Sequence, residues 1–212
     1  VANFPGTGFI GSGHTENEDE VVKDVQLFAD GKKLDPPPPE LTASELVLTK
    51  RSQLRSIELN SKITVTPDWI DEEVTVQTSQ PVELNVFYHF MHPWLPVMSD
   101  YLAVLSDGKQ VSGKFVDDSG MRISSPVAWS AVYSDELQKG ALTVVLAVPA
   151  NQPWDTRYWD KPEVYRKHYF ATFEKALMPA NQTFYYKVRS APFSATPETW
   201  QATAIRLADK MR

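Results

Sequence analysis

The stretch ITVTPDWIDEEVTVQTSQPVELNVFYHFMHPW, residues 63–94, decides how the whole chain is read. It opens on a β-branched run, Ile63-Thr64-Val65-Thr66, stopped by Pro67-Asp68. Glu73-Val74-Thr75-Val76-Gln77 then alternates polar and apolar residues, the period of a strand with one buried face. Residues 82–91, after Gln80-Pro81, make the longest β run. Along it Leu84, Val86, Tyr88 and Phe90 point one way, and Asn85, Phe87, His89 and Met91 the other. Both sets are bulky, so this run is predicted to be a central strand covered on both sides.

The same punctuation continues along the chain. Leu46-Val47-Leu48 precedes the quoted stretch. Residues 101–105 end at Ser106-Asp107-Gly108-Lys109, a hairpin signal, and Lys114-Phe115-Val116 pairs back. Residues 127–133 and 141–148 predict a second hairpin, and residues 169–173 and 184–189 complete a set of ten to twelve strands. The polyproline run Pro36-Pro37-Pro38-Pro39 lacks donors and reads as an exposed excursion, because the residues before it are too few to fold alone. Thr196, Pro197 and Glu198 announce a helix, in which Trp200, Ala204, Leu207 and Met211 share a face. The expectation is one all-β domain over residues 1–212, an antiparallel β-sandwich with a short C-terminal helix.

Composition narrows the function. The chain has 212 residues, a net charge of −6 and no cysteine. An acidic balance offers nothing to phosphates, so nucleic acid is not an expected partner. Disulfides, thiolate chemistry and Cys-ligated zinc are excluded, and no cofactor is expected. No apolar run is long enough for a membrane helix, so no membrane partner is expected either. Cysteine-free chains are common among bacterial exported proteins and also occur in the cytosol. A start at Val1 with neither Met nor a leader-like segment follows either from removal of a leader or from trimming. The expectation is a bacterial secreted protein, periplasmic or extracellular. Gly6-Thr7-Gly8-Phe9-Ile10-Gly11 matches a dinucleotide fingerprint in letters only, since no helical pattern follows it.

Histidine is the proton carrier of neutral pH and a common metal ligand. His14 stands beside Glu16, Glu18, Asp19 and Glu20, either as an acid–base pair with Glu16 or as part of a solvated acidic loop. His89 and His92 are three residues apart. On a regular strand they face opposite sides unless Pro93 turns the strand end, which weakens a two-histidine metal clamp, and no metal is assigned. The other reading makes His89 a hydrogen-bonded core histidine and His92 a cap on the strand end. Residues 149–169 are the most unusual, a loop rich in Trp154, Tyr158, Trp159 and Arg166. Aromatic faces stack on the apolar C–H faces of sugars, while charged groups bind the hydroxyls. The other reading is a satellite cluster folding the loop onto the sandwich. Asp117-Asp118-Ser119-Gly120 reads as a turn without the spacing of a calcium loop.

The order in residues 63–94 (strand, Pro-Asp turn, strand, Gln80-Pro81, long strand ending in an aromatic-flanked histidine) resembles the galactose mutarotase-like supersandwich of aldose epimerases. The resemblance implies a supersandwich fold, a carbohydrate ligand, and a catalytic histidine at His89 or His92. The late glutamate motif of epimerases is missing, since neither Glu163 nor Glu174 has its setting. The leading expectation is a domain that recognises a sugar in a cleft, with acid–base chemistry of epimerase or lyase type. There His89 is the general acid, Glu16 with His14 the base, and Trp154, Tyr158, Trp159, Arg166, His92 and Trp94 bind the substrate. The alternatives are a non-catalytic glycan- or protein-binding module and a metal-dependent hydrolase that needs His14, His89 and His92 to converge.

Overall fold

The computed structural model describes every residue of the chain except Thr15. Strands β1 (Ala2–Asn3), β2 (Phe9–Ile10), β3 (Val21–Ala29), β4 (Lys32–Leu34), β5 (Leu46–Leu54) and β6 (Ile57–Val65) come first. Then follow β7 (Ile70–Thr78), β8 (Val82–Leu84), β9 (Val86–Trp94), β10 (Asp100–Leu105), β11 (Gln110–Lys114) and β12 (Met121–Ser125). Last are β13 (Val127–Ser134), β14 (Lys139–Ala147), β15 (Trp154–Lys161), β16 (Tyr165–Thr172), β17 (Ala176–Met178), β18 (Phe184–Ser194) and helix α1 (Trp200–Met211). The fold is all-β and sandwich-like, of antiparallel sheets that do not close into a barrel, with one helix near the C-terminus. The chain divides into two compact units.

The first unit comprises Val1–Phe87, Ala147–Gln152 and Phe173–Lys187. Its main strand order is β18-β7-β6-β5-β3-β4. Period two sends Leu54, Ile57, Leu59, Val74 and Val76 to a buried face. The intervening residues Arg51, Asn60, Lys62 and Thr75 take the other face. The prolines 36–39 are exposed between β4 and β5, inside this unit. Among the described residues no helix follows the glycine-rich start of the chain; β2 lies inside it.

Residues 82–91 are not one strand. They break at Asn85 into β8, which pairs with β17, and β9, whose first residues pair with β1. Asn85 fixes the junction. Its backbone N–H donates to Asn3 O at 2.8 Å, its carbonyl accepts from Lys175 N at 2.8 Å, and its side-chain amide donates to Asn3 Oδ1 at 2.8 Å.

The second unit comprises Tyr88–Leu146, Pro153–Thr172 and Val188–Arg212. It has two strand sets, β11-β10-β13-β14-β18 and β12-β15-β16-β9. Tyr101, Ala103 and Val132 from the first set pack with Ile123 and Tyr158 from the second, and with Phe115, into one core. Burial on both faces runs along β13 and most of β16, whereas in the predicted run at 82–91 it is confined to Phe87, Tyr88 and His89. Residues 149–169, predicted as a loop, instead contain most of the β15–β16 hairpin, with Thr156 opposite Phe170, Tyr158 opposite His168 and Asp160 opposite Arg166. Its prolines lie at its ends and Asp155, Arg157 and Lys161 on its outer face, while Asp160 and Arg166 are buried on the inner one.

The helix begins at Trp200 with Thr199 as N-cap, three residues later than the Thr196 start. Trp200, Ala204, Ala208 and Met211 are its buried residues, so the inward stripe passes through Ala208 rather than Leu207. Trp200 stacks almost parallel on Tyr133, with ring centroids 5.0 Å apart, and Tyr133 stacks in turn on Phe193 at 6.3 Å. Trp200→Ala removes the end of this stack and leaves a cavity, with an expected loss of about 3–5 kcal/mol in urea unfolding. A loss below about 1 kcal/mol would show that the helix does not hold this face of β13.

Candidate functional site

Strand parity sorts the aromatic and charged residues of the β15–β16 hairpin. Trp154, Thr156, Tyr158 and Asp160 share one face with Arg166, His168, Phe170 and Thr172. Tyr158 is buried, donates its hydroxyl to Ser130 Oγ at 3.0 Å and stacks on His168 at 4.8 Å. Trp154 stacks on Phe170 at 5.0 Å. The opposite face carries Trp159, Lys167 and Tyr169. There the Lys167 ammonium lies 4.5 Å from the Tyr88 ring centre and 4.9 Å from that of Tyr169. Burial is the main cause, and neighbouring Lys161 the second, of a Lys167 pKa below the usual lysine value. Trp159 donates its indole N–H to Ser119 O at 2.9 Å. Lys167 carries no mark of its own in the sequence; alternation along β16, which puts it on the same face as Tyr169, is the signal that finds it.

Arg166 does not offer its guanidinium to a ligand. It is 3% exposed, and its five N–H donors meet partners in the protein. Nη1 binds Asp117 and Asp160, Nη2 binds Pro96 O at 2.9 Å and Asp117 Oδ2 at 3.2 Å, and Nε reaches Met98 O at 3.3 Å. Asp160, fully buried, also accepts from the backbone N–H groups of Val116 and Asp117 at 3.2 and 2.8 Å, and from Arg122 at 3.4 Å. Arg122 also holds Asp118. Residues 117–120 thus form an ion-paired turn. Among the described residues no group of three or more His, Asp or Glu is placed to hold a metal.

The histidines of β9 come to one side through a bulge. Phe90 adopts a positive φ of 49°. His89 meets Thr172, Phe90 meets Phe170 and His92 meets His168, all on one face of β16. The irregularity lies at Phe90 and not at Pro93. His89 is buried, 3.4 Å from Thr172 Oγ1 through Nε2, and burial holds its pKa well below the usual histidine value. That leaves a neutral ring near pH 7, a weak acid for protonating an oxygen. His168 is also buried, and burial first, then the neighbouring His92, keeps it neutral. The Nδ1 atoms of His92 and His168 are 3.1 Å apart, so one ring donates to the other. His168 Nε2 is buried without a partner. A bare acceptor is tolerated there better than an orphaned N–H, which favours His168 as the donor through Nδ1.

Beyond His92 the strand delivers Trp94 to a cleft of about 460 Å³ in the second unit. Trp94, Met98, Lys139, Gly140, Phe193 and Ser194 line it. Arg166 sets the Met98 side through the carbonyls of Pro96 and Met98. Phe193 lies over Gly140 so closely that a Cβ there would come within 2.2 Å of its ring, so the wall is shaped for glycine. Lys139 Nζ donates to Ser194 Oγ at 2.7 Å, leaving the serine O–H to donate outward. The Trp94 indole N–H is buried and meets no acceptor among the described residues. Trp94 is marked in the sequence; Lys139, Phe193 and Ser194 are not, because they reach the cleft from strands distant in sequence.

In the first unit His14 Nδ1 lies 3.2 Å from Glu16 Oε1, as a surface contact. The backbone N–H of Glu16 first, then His14, lowers the Glu16 pKa. Glu18 pairs with Arg55 at 2.7 Å. Glu20 accepts from Ser12 and Ser52 and pairs with Lys50 at 2.7 Å. The acidic run therefore ties the start of the chain to β5 and the turn after it.

No family model matches the chain, and no curated protein matches it. Its fold is similar to part of the GH36 alpha-galactosidase AgaA from Geobacillus stearothermophilus, with a TM-score of 0.57 at 10% identity over 84% of this chain. It is likewise similar to part of the alpha-galactosidase from Lactobacillus brevis, with a TM-score of 0.51 at 11% identity over 84% of this chain. The chain spans only 28% and 27% of those two proteins. The likeness is one of fold, and it agrees with the weak galactose mutarotase-like resemblance of residues 63–94.

Two outcomes test these contacts. Asp160→Asn leaves the buried Arg166 short of its counter-charge, with an expected loss of about 3–5 kcal/mol in urea unfolding; an unchanged midpoint would show that the ion pair is not structural. Burial alone would raise the Glu20 pKa, but Lys50 and the two serines outweigh it and bring it down to about 2, from 4.5 unfolded. A depressed carboxylate stabilises fully above pH 4.5 and loses that contribution as pH falls towards 2, on the order of 3 kcal/mol. Glu20→Gln should flatten the stability profile over that window, and an unaltered acid limb would sink the assignment.

Proposed function

We propose that this protein is a carbohydrate-recognition domain that receives a sugar ring in the Trp94 cleft. The observation that carries the reading is the pairing, in one cleft, of an aromatic ring with a polar rim. Trp94, half-buried, offers an apolar face to the C–H side of a pyranose, buried Phe193 forms part of the wall, and Lys139 and Ser194 offer donors to the sugar hydroxyls. The volume lies within the range of small-ligand sites. The fold likeness supports the same class. AgaA is an alpha-galactosidase, and one AgaA structure is a complex with stachyose.

Recognition rather than turnover is the activity proposed. His89 is buried and neutral, and the His14–Glu16 pair is open to solvent. A site outside the cytoplasm, where glycans are met, goes with this reading.

The test is a thermal-shift and calorimetric panel of galactosides, glucosides and mannosides. A sugar that binds the folded state raises the melting temperature. Trp94→Ala is expected to weaken binding at least tenfold while the fold persists. A flat panel, or a Trp94→Ala variant that binds as wild type, would overturn the proposal.

A further inference from the structure

The second feature is in the first unit and does not depend on the Trp94 cleft. The registers of β3, β5, β6 and β7 align side chains on the solvent face in rows that cross the strands. One row reads Asp24, Arg51, Asn60, Thr75, and the next reads Gln26, Thr49, Lys62, Glu73. These rows line a depression of about 580 Å³, bounded on the β18 side by Tyr185.

Three properties of this face define what it fits. The two rows contain no apolar residue, which argues against the core of a protein interface. The rows hold two acids and two bases, Asp24 and Glu73 against Arg51 and Lys62, and Lys50, which also lines the depression, is paired with Glu20 at 2.7 Å, so the face exerts no strong net field that selects an ion. Their polar groups are partly unspent. Arg51, Thr49, Asn60 and Thr75 make no side-chain hydrogen bond or ion pair among the described residues. Other groups at the edge are fixed. Tyr185 donates its hydroxyl to Glu73 at 2.7 Å, and Lys187 bridges Asp71 and Glu73 at 3.2 and 3.4 Å. Tyr185, 40% exposed, is therefore an anchored aromatic plate at one end of the rows.

Adjacent strands are about 4.8 Å apart, close to the length of one pyranose unit. A glycan laid across the strands meets a hydrogen-bonding side chain at each sugar. We infer that this face binds a neutral polysaccharide chain of about four or more units, running from β3 to β7, with a sugar stacked on Tyr185. The fit is to a long uncharged chain: free monosaccharides gain one contact set, whereas an extended chain gains several at once.

The experiment is affinity electrophoresis of the full chain through gels containing a neutral polysaccharide or an anionic one, backed by calorimetry with oligosaccharides of two to six units. Expected are retardation by a neutral chain, affinity rising at least tenfold from two units to four or more, and a loss of at least tenfold in the double variant Arg51→Ala, Asn60→Ala. The milder pair Thr49→Val, Thr75→Val, equal in volume, should also weaken binding if the alanine variant proves unstable. Trp94→Ala should leave this length dependence intact, which separates this inference from the cleft proposal. Absence of retardation by every neutral polysaccharide, equal retardation of the row variants, or preference for the anionic gel would each overturn it.

Discussion

One guanidinium organises the second unit. Arg166 is buried on β16, and burying it is costly unless every donor is met. The cost is offset by Asp160 on the neighbouring strand, by Asp117, and by the carbonyls of Pro96 and Met98. Those partners come from three separate stretches of chain. Through the first two, Arg166 fixes the turn at residues 115–118, where Asp160 also takes the backbone N–H groups. Through the two carbonyls it fixes the segment just after Trp94. The cleft wall at Met98 is thus set by a residue that never faces the cleft. Its charge is spent on building, which is why the role of ligand-binding arginine does not fit it.

The second constraint is a single residue of register. In a regular strand His89 and His92 diverge. The positive φ at Phe90 breaks the alternation of β9, and His89, Phe90, His92 and Trp94 all end on the side of the core. The same step places His92 against His168 and carries Trp94 on to the cleft. A bulge near a candidate site is a common way for a sheet to re-aim a side chain. Here it converts a polar–aromatic strand end into one wall of the cleft.

Much of the fold was legible, because its clearest strands obey period two. β7 alternates as written, the 106–109 hairpin closes as its Asp-Gly turn predicts, and the helix keeps Trp200 and Ala204 inward. The failures have physical causes. β15 reads as a loop in sequence because Asp155, Arg157 and Lys161 on its outer face mask the alternation of its inner one. The break at Asn85 depends on Asn3, some 80 residues away in sequence, and no local pattern reports it. The Phe90 bulge is equally silent, since phenylalanine carries no mark of a left-handed backbone. Trp94 was legible as an aromatic beside Pro93. Lys139, Phe193 and Ser194 were not, because only strand pairing brings them to it.

The aromatic stack behind the cleft has an optical consequence. Trp200, Tyr133 and Phe193 lie nearly parallel, at 3° and 9° between successive rings, and are held in place by packing and by the Tyr133 hydroxyl on Ala195 O at 2.8 Å. Aromatic chromophores fixed in a chiral array of this kind couple their transitions and give the folded protein a near-ultraviolet dichroism of its own. Phe193 is both a member of that array and a wall of the cleft. The protein therefore carries a built-in spectroscopic reporter, at the end of β18, of how well the cleft wall is ordered.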